Sequence, residues 1–266
     1  MMSKESLMDM ATKPNNAPSD VIINGVRYCG VCKAPKEADI GGIMRPIKCK
    51  CAEAQEEEAK QRAKREQIEE MRERCLPRKK MRSSTFDKAE KVKHIDIASR
   101  YASKWEQVKN TGKGIVLWGN VGSGKSYAAL CIANALIDNE IPVRYTTSAD
   151  MVAELTEKGQ NQKEYMKKLC SVPLLIVDDL GAEHDSGYNQ AQLCRLIDAR
   201  KDSGKPMVIT TNYSLNEMQN PTDQNRARIF DRILSVCVPV QVVGESRRKR
   251  ERVDALNEIA NILELE

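Results

Sequence analysis

A glycine-rich segment near the middle of the chain restricts its fold more than any other feature. Residues 119–126 read Gly-Asn-Val-Gly-Ser-Gly-Lys-Ser, after the apolar run 115–118 and before the helix-forming stretch 127–137. Two glycines five positions apart, followed by Lys and then Ser, form the pattern of a phosphate-binding loop. Glycine lets backbone N–H groups wrap around an anion, and the next helix directs its positive end there. The pattern favours nucleotide binding over an ordinary glycine-rich turn.

Each part of this loop has an expected role. Lys125 is predicted to contact the β- and γ-phosphates of ATP, and the hydroxyl of Ser126 is predicted to ligate Mg²⁺. The backbone N–H groups before them are predicted to hold the phosphates. The predicted nucleotide contacts of this region are Gly119, Asn120, Val121, Gly122, Ser123, Gly124, Lys125, Ser126 and Tyr127.

Two other strand patterns end in polar residues. Residues 174–177 are four consecutive apolar residues followed by Asp178 and Asp179, and the strand-like run 206–211 is followed by Asn212. Strand and helix patterns alternate through this part of the chain, which predicts an α/β fold with a parallel sheet. Ligands of such sheets bind at the carboxyl ends of the strands. The three polar side chains are therefore candidate site residues.

The roles of these side chains follow from their chemistry. Asp178 is predicted to hold Mg²⁺ through a water molecule, and Asp179 to orient or deprotonate the attacking water. Asn212 is predicted to hydrogen-bond the γ-phosphate or that water. Structural alternatives exist, since paired acids also occur in turns and Asn212 can cap the turn before Ser214. The phosphate-binding loop upstream favours the catalytic interpretation.

The cysteines indicate both a compartment and a metal site. The chain has nine cysteines but neither the apolar core of a signal peptide nor a run long enough to cross a membrane. We therefore expect a reducing, cytoplasmic location, where cysteines ligate metals more often than they form disulfides. Two pairs, Cys29/Cys32 and Cys49/Cys51, can place four thiolates around Zn²⁺. The alternative is four unrelated thiols, and the one-residue spacer of the second pair is less common in zinc sites.

A chain of 266 residues has room for one ordinary domain and a smaller appendage. We predict a flexible tail at residues 1–20, a zinc-binding module at 21–51, a charged helical linker at 52–82 and the α/β domain at 83–266. The module is too small to bury a sizeable core, so metal binding is expected to supply its folding energy. The linker is interpreted as a solvated helix outside the core, because most of its residues are Ala, Glu, Gln, Lys or Arg.

Charge and aromatic content limit the modes of nucleic-acid binding. The 43 Lys and Arg residues exceed the 38 Asp and Glu residues by five, too small an excess to indicate nucleic-acid binding without a local cluster. Two Phe and two Trp residues argue against an aromatic platform for single strands. The basic run at residues 78–82 could contact DNA phosphates, but the pattern favours a solvated linker.

A pair of arginines lies further along the chain. Arg228 and Arg232 are four residues apart and share one face of a predicted helix. Their spacing alone favours no chemistry, since surface arginines are usually solvated or paired with an acid such as Asp231.

Five segments, taken in order, resemble the DnaC/DnaI/IstB group of AAA+ ATPases, which comprises bacterial and phage helicase loaders and their transposition relatives. The segments are residues 119–126, 174–181, 209–214, 228–234 and 244–248. The resemblance extends over residues 83–252 and is most specific in Thr-Thr-Asn-Tyr-Ser and Arg-Ile-Phe-Asp-Arg-Ile. The N-terminal cysteine module resembles the zinc-binding region through which DnaI-type loaders contact the helicase.

The resemblance implies further roles by position. Asn212 matches sensor 1, and Arg232 matches the arginine finger that completes the ATP site of a neighbouring subunit, with Arg228 as the second candidate. Arg248 matches sensor 2, and Arg247 stands where the family commonly has an aromatic residue.

The implied function is that of an ATP-dependent homo-oligomer that binds the replicative DNA helicase and helps place it on single-stranded DNA, with no membrane partner. DNA contacts would come mostly from basic side chains to phosphates and weaken steeply with salt. Three alternatives stay open: an IstB-like transposition ATPase, a helicase adaptor that binds nucleotide without hydrolysis, and a small-molecule kinase. The cysteine module argues against the first, and the last explains neither Asn212 nor the arginine pair.

Overall fold

The computed structural model describes residues 19–156, 160–182, 186–244, 255–257, 259 and 262–263. The described part of the chain divides into two compact units between Gln67 and Ile68. Most of the predicted N-terminal tail, residues 1–18, lies outside the described residues. Among the residues that are described, no helix combines the length and the apolar character needed to cross a membrane.

The first unit contains two short antiparallel hairpins and the start of a long helix. Strands β1 (Val21–Ile23) and β2 (Val26–Tyr28) form one hairpin, and β3 (Glu37–Asp39) and β4 (Met44–Pro46) form the other. Asn24 and Gly25 join β1 to β2 with φ values of 50° and 79°. Positive φ at both loop residues matches the right-handed twist of the strands, which explains the tight turn at an Asn-Gly sequence.

The first unit has almost no apolar core. Within residues 19–67, the buried residues are Cys29, Gly30 and Cys49, while Val21, Ile22 and Ile23 of β1 are exposed. So little burial cannot offset the conformational entropy of folding. The fold of the first unit therefore needs a further source of stability.

The long helix α1 (Lys50–Cys75) changes character along its length. Its first part is solvated and carries surface ion pairs such as Lys60–Glu56 and Arg62–Glu66. In the second unit, Ile68 and Met71 pack against an apolar cluster that contains the buried residue Cys75. The end of the charged segment is thus part of a core, because three residues spaced three or four apart share one helical face.

The second unit continues with helices and parallel strands in alternation. Its elements are α2 (Lys79–Arg82), a 3₁₀ turn (Phe86–Lys88), α3 (Lys93–Ser103), α4 (Trp105–Thr111), β5 (Gly114–Trp118), α5 (Lys125–Asp138), β6 (Val143–Thr147), α6 (Ser148–Thr156), α7 (Gln160–Ser171), β7 (Leu174–Leu180), α8 (Gly187–Asp202), β8 (Met207–Thr211), α9 (Leu215–Gln219), α10 (Gln224–Val236) and β9 (Cys237–Gln241). The predicted α/β architecture is confirmed.

The five strands of the second unit form one parallel sheet in the order β6-β7-β8-β5-β9. Successive residues of a strand point to opposite faces. Accordingly, Ile115 and Leu117 of β5 belong to one apolar cluster and Val116 to the other. Helices therefore cover both faces, and all described carboxyl ends of the strands lie along one edge, as predicted.

Candidate nucleotide-binding site

The phosphate-binding pattern forms the connection between β5 and α5. Gly119, Gly122 and Gly124 have φ values of 148°, 80° and 104°, conformations that favour glycine. A side chain at Gly119 is also excluded by packing, because its Cβ would lie 2.3 Å from the carbonyl oxygen of Val242. The loop thus keeps its backbone bare at the N-terminus of a fourteen-residue helix, where N–H groups favour an anion.

Lys125 is held inside this loop. Its ammonium donates to the carbonyl oxygens of Gly119 at 2.9 Å and Asn120 at 2.7 Å, and to Oδ1 of Asn212 at 2.8 Å. The residue is only 6% exposed, so its charge is poorly screened by water. A cation fixed here, beside the bare backbone N–H groups, fits a polyphosphate.

Asn212 connects Lys125 to the acidic strand. Its Nδ2 donates to Oδ1 of Asp179 at 3.2 Å, while its Oδ1 accepts from Lys125. The N-cap of α9 is instead Ser214. Its side chain accepts the backbone N–H of Glu217, and the Glu217 side chain accepts the backbone N–H of Ser214. The amide therefore faces the site, which disfavours the alternative in which it caps the following turn.

Asp178 is enclosed by the two neighbouring strands. Tyr145 of β6 donates its hydroxyl to Oδ2 at 2.6 Å, and Thr210 of β8 donates to Oδ1 at 2.6 Å. Thr210 Oγ also accepts the backbone N–H of Asp179 at 2.8 Å. The carboxylate is 7% exposed and both of its oxygens are hydrogen-bonded, as a buried charge requires.

Asp179 lies at a bulge in β7. Val177 pairs with Ile209 and Leu180 with Thr211, so two residues of β7 face one residue of β8. Asp179 has a φ of 57°, and Ser148 donates its hydroxyl to the Asp179 carbonyl oxygen at 2.7 Å. A bulge re-aims side chains that would otherwise alternate. Asp178 is consequently buried between strands while Asp179 is exposed beside Asn212.

The other predicted loop residues have varied environments. The buried Ser123 hydroxyl has no hydrogen-bond partner among the described residues, and Ser126 is half-buried in the first turn of α5. Val121 is exposed. Tyr127 donates its hydroxyl to the Thr85 carbonyl oxygen at 3.1 Å, so its phenol is directed to the segment before α3. These positions remain predicted nucleotide contacts.

Tyr145, Thr210 and His94 are neighbours of the site that motif reading does not identify. A Cβ on Gly124 would lie 3.6 Å from His94 Nε2, so this imidazole packs beside the loop. Burial lowers the pKa of His94. Tyr145 lies near the acids because β6 pairs with β7 in a particular register. The sequence does not reveal that register, so it identifies Tyr145 only as a residue of a predicted strand.

The arginine pair lies on α10. Arg232 donates Nε to Oδ1 of Asp198 on α8 at 2.7 Å and Nη1 to the Arg228 carbonyl oxygen at 3.2 Å. This ion pair raises the pKa of Arg232. The acid that pairs with Arg232 is thus Asp198 rather than Asp231. Arg228 is exposed.

The predicted sensor 2 lies elsewhere. Arg247 and Arg248 fall outside the described residues, so the sensor 2 assignment stays a prediction.

The four predicted zinc ligands come together in the first unit. The sulfur atoms of Cys29, Cys32, Cys49 and Cys51 all lie within 4.8 Å of one another. Backbone N–H groups of Cys51 and Ala34 lower the pKa of Cys32 to about 6, which favours a thiolate. Four converging sulfurs, at least one of them acidic, form a donor set that fits Zn²⁺.

Comparisons with known proteins agree with this geometry. Residues 52–255 match the family described as IstB-like ATP binding protein. The replicative helicase loader DnaI of Bacillus subtilis is 28% identical over 149 residues, 52% of this chain and 48% of that protein. A Mycobacterium tuberculosis protein, named for ATP binding in an insertion sequence, is 27% identical over 151 residues, 54% of this chain and 59% of that protein.

A solved structure supports the fold. The crystal structure of DnaI superposes with a TM-score of 0.55 at 24% sequence identity, covering 64% of this chain and 93% of that one. The chain spans about half the length of the curated relatives it matches. Because the family match covers most of the chain, including the loop, the paired acids and Asn212, the chain belongs to the IstB-like ATP-binding protein family.

Proposed function

We propose that this chain is a helicase loader that hydrolyses ATP with Mg²⁺, binds a replicative DNA helicase in the bacterial cytoplasm and helps place it on single-stranded DNA. The hydrogen-bonded series Lys125–Asn212–Asp179 carries the ATPase part of the proposal. It joins the start of helix α5, the residue after β8 and the bulge of β7, at the edge of the sheet where the phosphate-binding loop also lies. A structural role alone does not require a buried ammonium, an amide and an exposed carboxylate in this order.

Each residue of the site has a separate role in hydrolysis. Lys125 neutralises phosphate charge by exchanging its loop carbonyl partners for phosphate oxygens. Asp179 holds the attacking water and accepts its proton, while Asn212 keeps that carboxylate oriented. Ser126 and Asp178 are the residues that would hold magnesium. When bound, Mg²⁺ supplies charge neutralisation at the β- and γ-phosphate oxygens.

The arginine on α10 is proposed to act on a neighbouring subunit. Arg232 is one-third exposed and is held by Asp198 rather than buried in its own core. An arginine presented in this way can stabilise transferred-phosphate charge in the next subunit's site. ATP would then be held between subunits and favour a homo-oligomer.

The cysteine module favours a helicase partner over a transposase. The family match begins at residue 52, so the four clustered cysteines precede the part shared with insertion-sequence ATPases. The module also exposes apolar side chains, among them Ile22, Val31 and Ile43. Exposed apolar side chains such as these are available for contact with a protein partner. In this proposal the cysteine module contacts the helicase and the second unit binds ATP.

An insertion-sequence transposition ATPase is the second candidate. The family match and the Mycobacterium tuberculosis relative favour it. Both candidates use the same nucleotide site and differ in the partner.

A partner experiment tests the proposal. The full-length chain with an affinity tag is expressed in its native cells and recovered with ATP and Mg²⁺, beside Lys125→Ala as a control. Recovery of a hexameric replicative helicase, followed by loading of the purified helicase onto single-stranded DNA, is the expected result. Recovery of a transposase would favour the second candidate. Absence of ATP turnover in the wild type, even with DNA and helicase, would favour a non-hydrolysing adaptor.

A further inference from the structure

Tyr145 makes a short contact with the acidic strand that the proposed chemistry has not used. Its hydroxyl lies 2.6 Å from Oδ2 of Asp178. The residue sits on β6, an edge strand of the sheet, where Thr147 pairs with Asp178. A hydroxyl donating to a carboxylate at this distance forms a strong, charge-assisted hydrogen bond.

The bond leaves Asp178 able to hold a further ligand. An ionised carboxylate has about four acceptor positions on its two oxygens. Tyr145 takes one position on Oδ2 and Thr210 one on Oδ1, so each oxygen keeps acceptor capacity. The carboxylate cannot rotate without breaking one of these bonds. Its remaining acceptor positions are therefore fixed in direction.

The two donors have different roles. Thr210 also accepts the backbone N–H of Asp179, so it holds the bulge as well as the carboxylate. Within the described residues, the hydrogen bond of the Tyr145 hydroxyl is to Asp178. The phenol has a single O–H to donate, and it is directed at this carboxylate.

We propose that Tyr145 is a positioning residue that fixes the Asp178 carboxylate in the orientation needed to hold the magnesium of a magnesium–nucleotide complex. This inference rests on the proposed function, because it assumes that Asp178 faces the metal. Residues behind a metal ligand that orient it contribute substantially to metal affinity. Tyr145 acts through Asp178 and needs no contact with nucleotide.

The test separates magnesium from nucleotide. Tyr145→Phe keeps the ring in place and removes the hydroxyl. Tyr101→Phe is the matched control, since the buried Tyr101 hydroxyl has no hydrogen-bond partner among the described residues. Binding of a fluorescent ATP analogue is measured in excess EDTA and across a Mg²⁺ titration, and ATP turnover is followed over the same titration. Thermal unfolding reports whether each variant is folded.

Tyr145→Phe is expected to raise the Mg²⁺ concentration for half-maximal binding and turnover by about tenfold. Affinity without metal should match the wild type, and Tyr101→Phe should behave as the wild type throughout. An unchanged Mg²⁺ midpoint would overturn the proposal. Equal losses with and without Mg²⁺ would also overturn it, because they would indicate a general packing role. If the wild type neither binds nor hydrolyses ATP, the proposed function itself is wrong, and the inference falls with it.

Discussion

Asn212 Oδ1 accepts a hydrogen bond from the ammonium of Lys125 at 2.8 Å, although the two residues are 87 positions apart in sequence. They meet because β8, which ends just before Asn212, lies between β5 and β7 in the sheet. The same amide donates to Asp179. One neutral side chain thus stands between an ammonium and a carboxylate that would otherwise pair directly.

Asn212→Ala is expected to lower ATP turnover by roughly 10²-fold while nucleotide binding persists. Without the amide, Asp179 loses its orienting donor and can pair with Lys125, which removes both from their proposed roles. Phosphate release and fluorescent-nucleotide binding measured on one preparation check this. Asn220→Ala is the matched control, because the exposed Asn220 side chain donates to the side chain of Asn216, which is also exposed. Turnover unchanged in Asn212→Ala would remove the amide from the chemistry.

Asp179→Asn is expected to reduce turnover by about 10²–10⁴-fold, the range typical for loss of a positioned base. Binding of Mg²⁺ and ATP should continue, since Asp178 is the acid proposed to hold the metal. Asp202→Asn, at the exposed end of α8, controls for loss of one negative charge. Single-turnover measurement with radiolabelled ATP checks the chemical step. A variant that hydrolyses ATP at the wild-type rate would exclude Asp179 as the base.

Much of this site follows from sequence, because its parts depend on local patterns. The phosphate-binding loop needs only its glycines, Lys125 and the adjoining strand and helix. That Asp179 and Asn212 lie close together follows from one rule, that the carboxyl ends of parallel strands share an edge. Asp179 comes two residues after the apolar run 174–177, and Asn212 follows the strand-like run 206–211, so their place along the strands could be predicted.

The remaining features depend on register and packing between distant segments. The bulge that exposes Asp179 exists because two residues of β7 face one of β8, and no local pattern in the sequence marks it. The pairing of Arg232 with Asp198 likewise depends on how α10 packs against α8. The partial burial of Ile68 could not be predicted from its own helix, because most residues of that helix are charged. It depends on the apolar cluster of the second unit that packs against this face.

Mixed oligomers test the role of Arg232. Lys125→Ala and Arg232→Ala subunits should each be inactive alone, because each lacks one half of every shared site. Random mixing in equal amounts is expected to restore about a quarter of wild-type turnover, since one interface type in four combines both intact residues. Steady-state turnover against mixing ratio is the measurement. Absence of any recovery would show that Arg232 does not act in trans.

The cysteine cluster predicts one zinc ion per chain. Cys32→Ser is expected to lose the metal and to unfold the first unit, because the unit has almost no apolar core to support it. ATP turnover by the second unit should persist, while helicase binding should be lost. Elemental analysis of reduced protein and helicase co-elution are the measurements. Cys194→Ser, outside the cluster, is the control, and zinc well below one equivalent in the wild type would contradict the site.

Substitution of Arg200 tests the stability of the fold outside the proposed nucleotide site. Its side chain is fully buried, and burial lowers its pKa to about 10, so it is still charged at neutral pH. The guanidinium donates to main-chain carbonyl oxygens at the end of α7, in the following turn and before β8. These acceptors are Leu169, Cys170, Val172, Pro173 and Pro206. One side chain thus satisfies carbonyls that helix α7 leaves open at its end.

Arg200→Leu is expected to lower the free energy of unfolding by about 3–5 kcal/mol, because it leaves several buried carbonyl oxygens without donors. Arg200→Lys should lose less, since an ammonium can still reach some of them. Arg195→Leu, on an exposed position of the same helix, should change stability by less than about 0.5 kcal/mol. Urea unfolding followed by circular dichroism gives these values. If Arg200→Leu unfolded at the wild-type urea midpoint, water would have to replace the guanidinium without loss of stability. The complete burial of this side chain argues against that outcome.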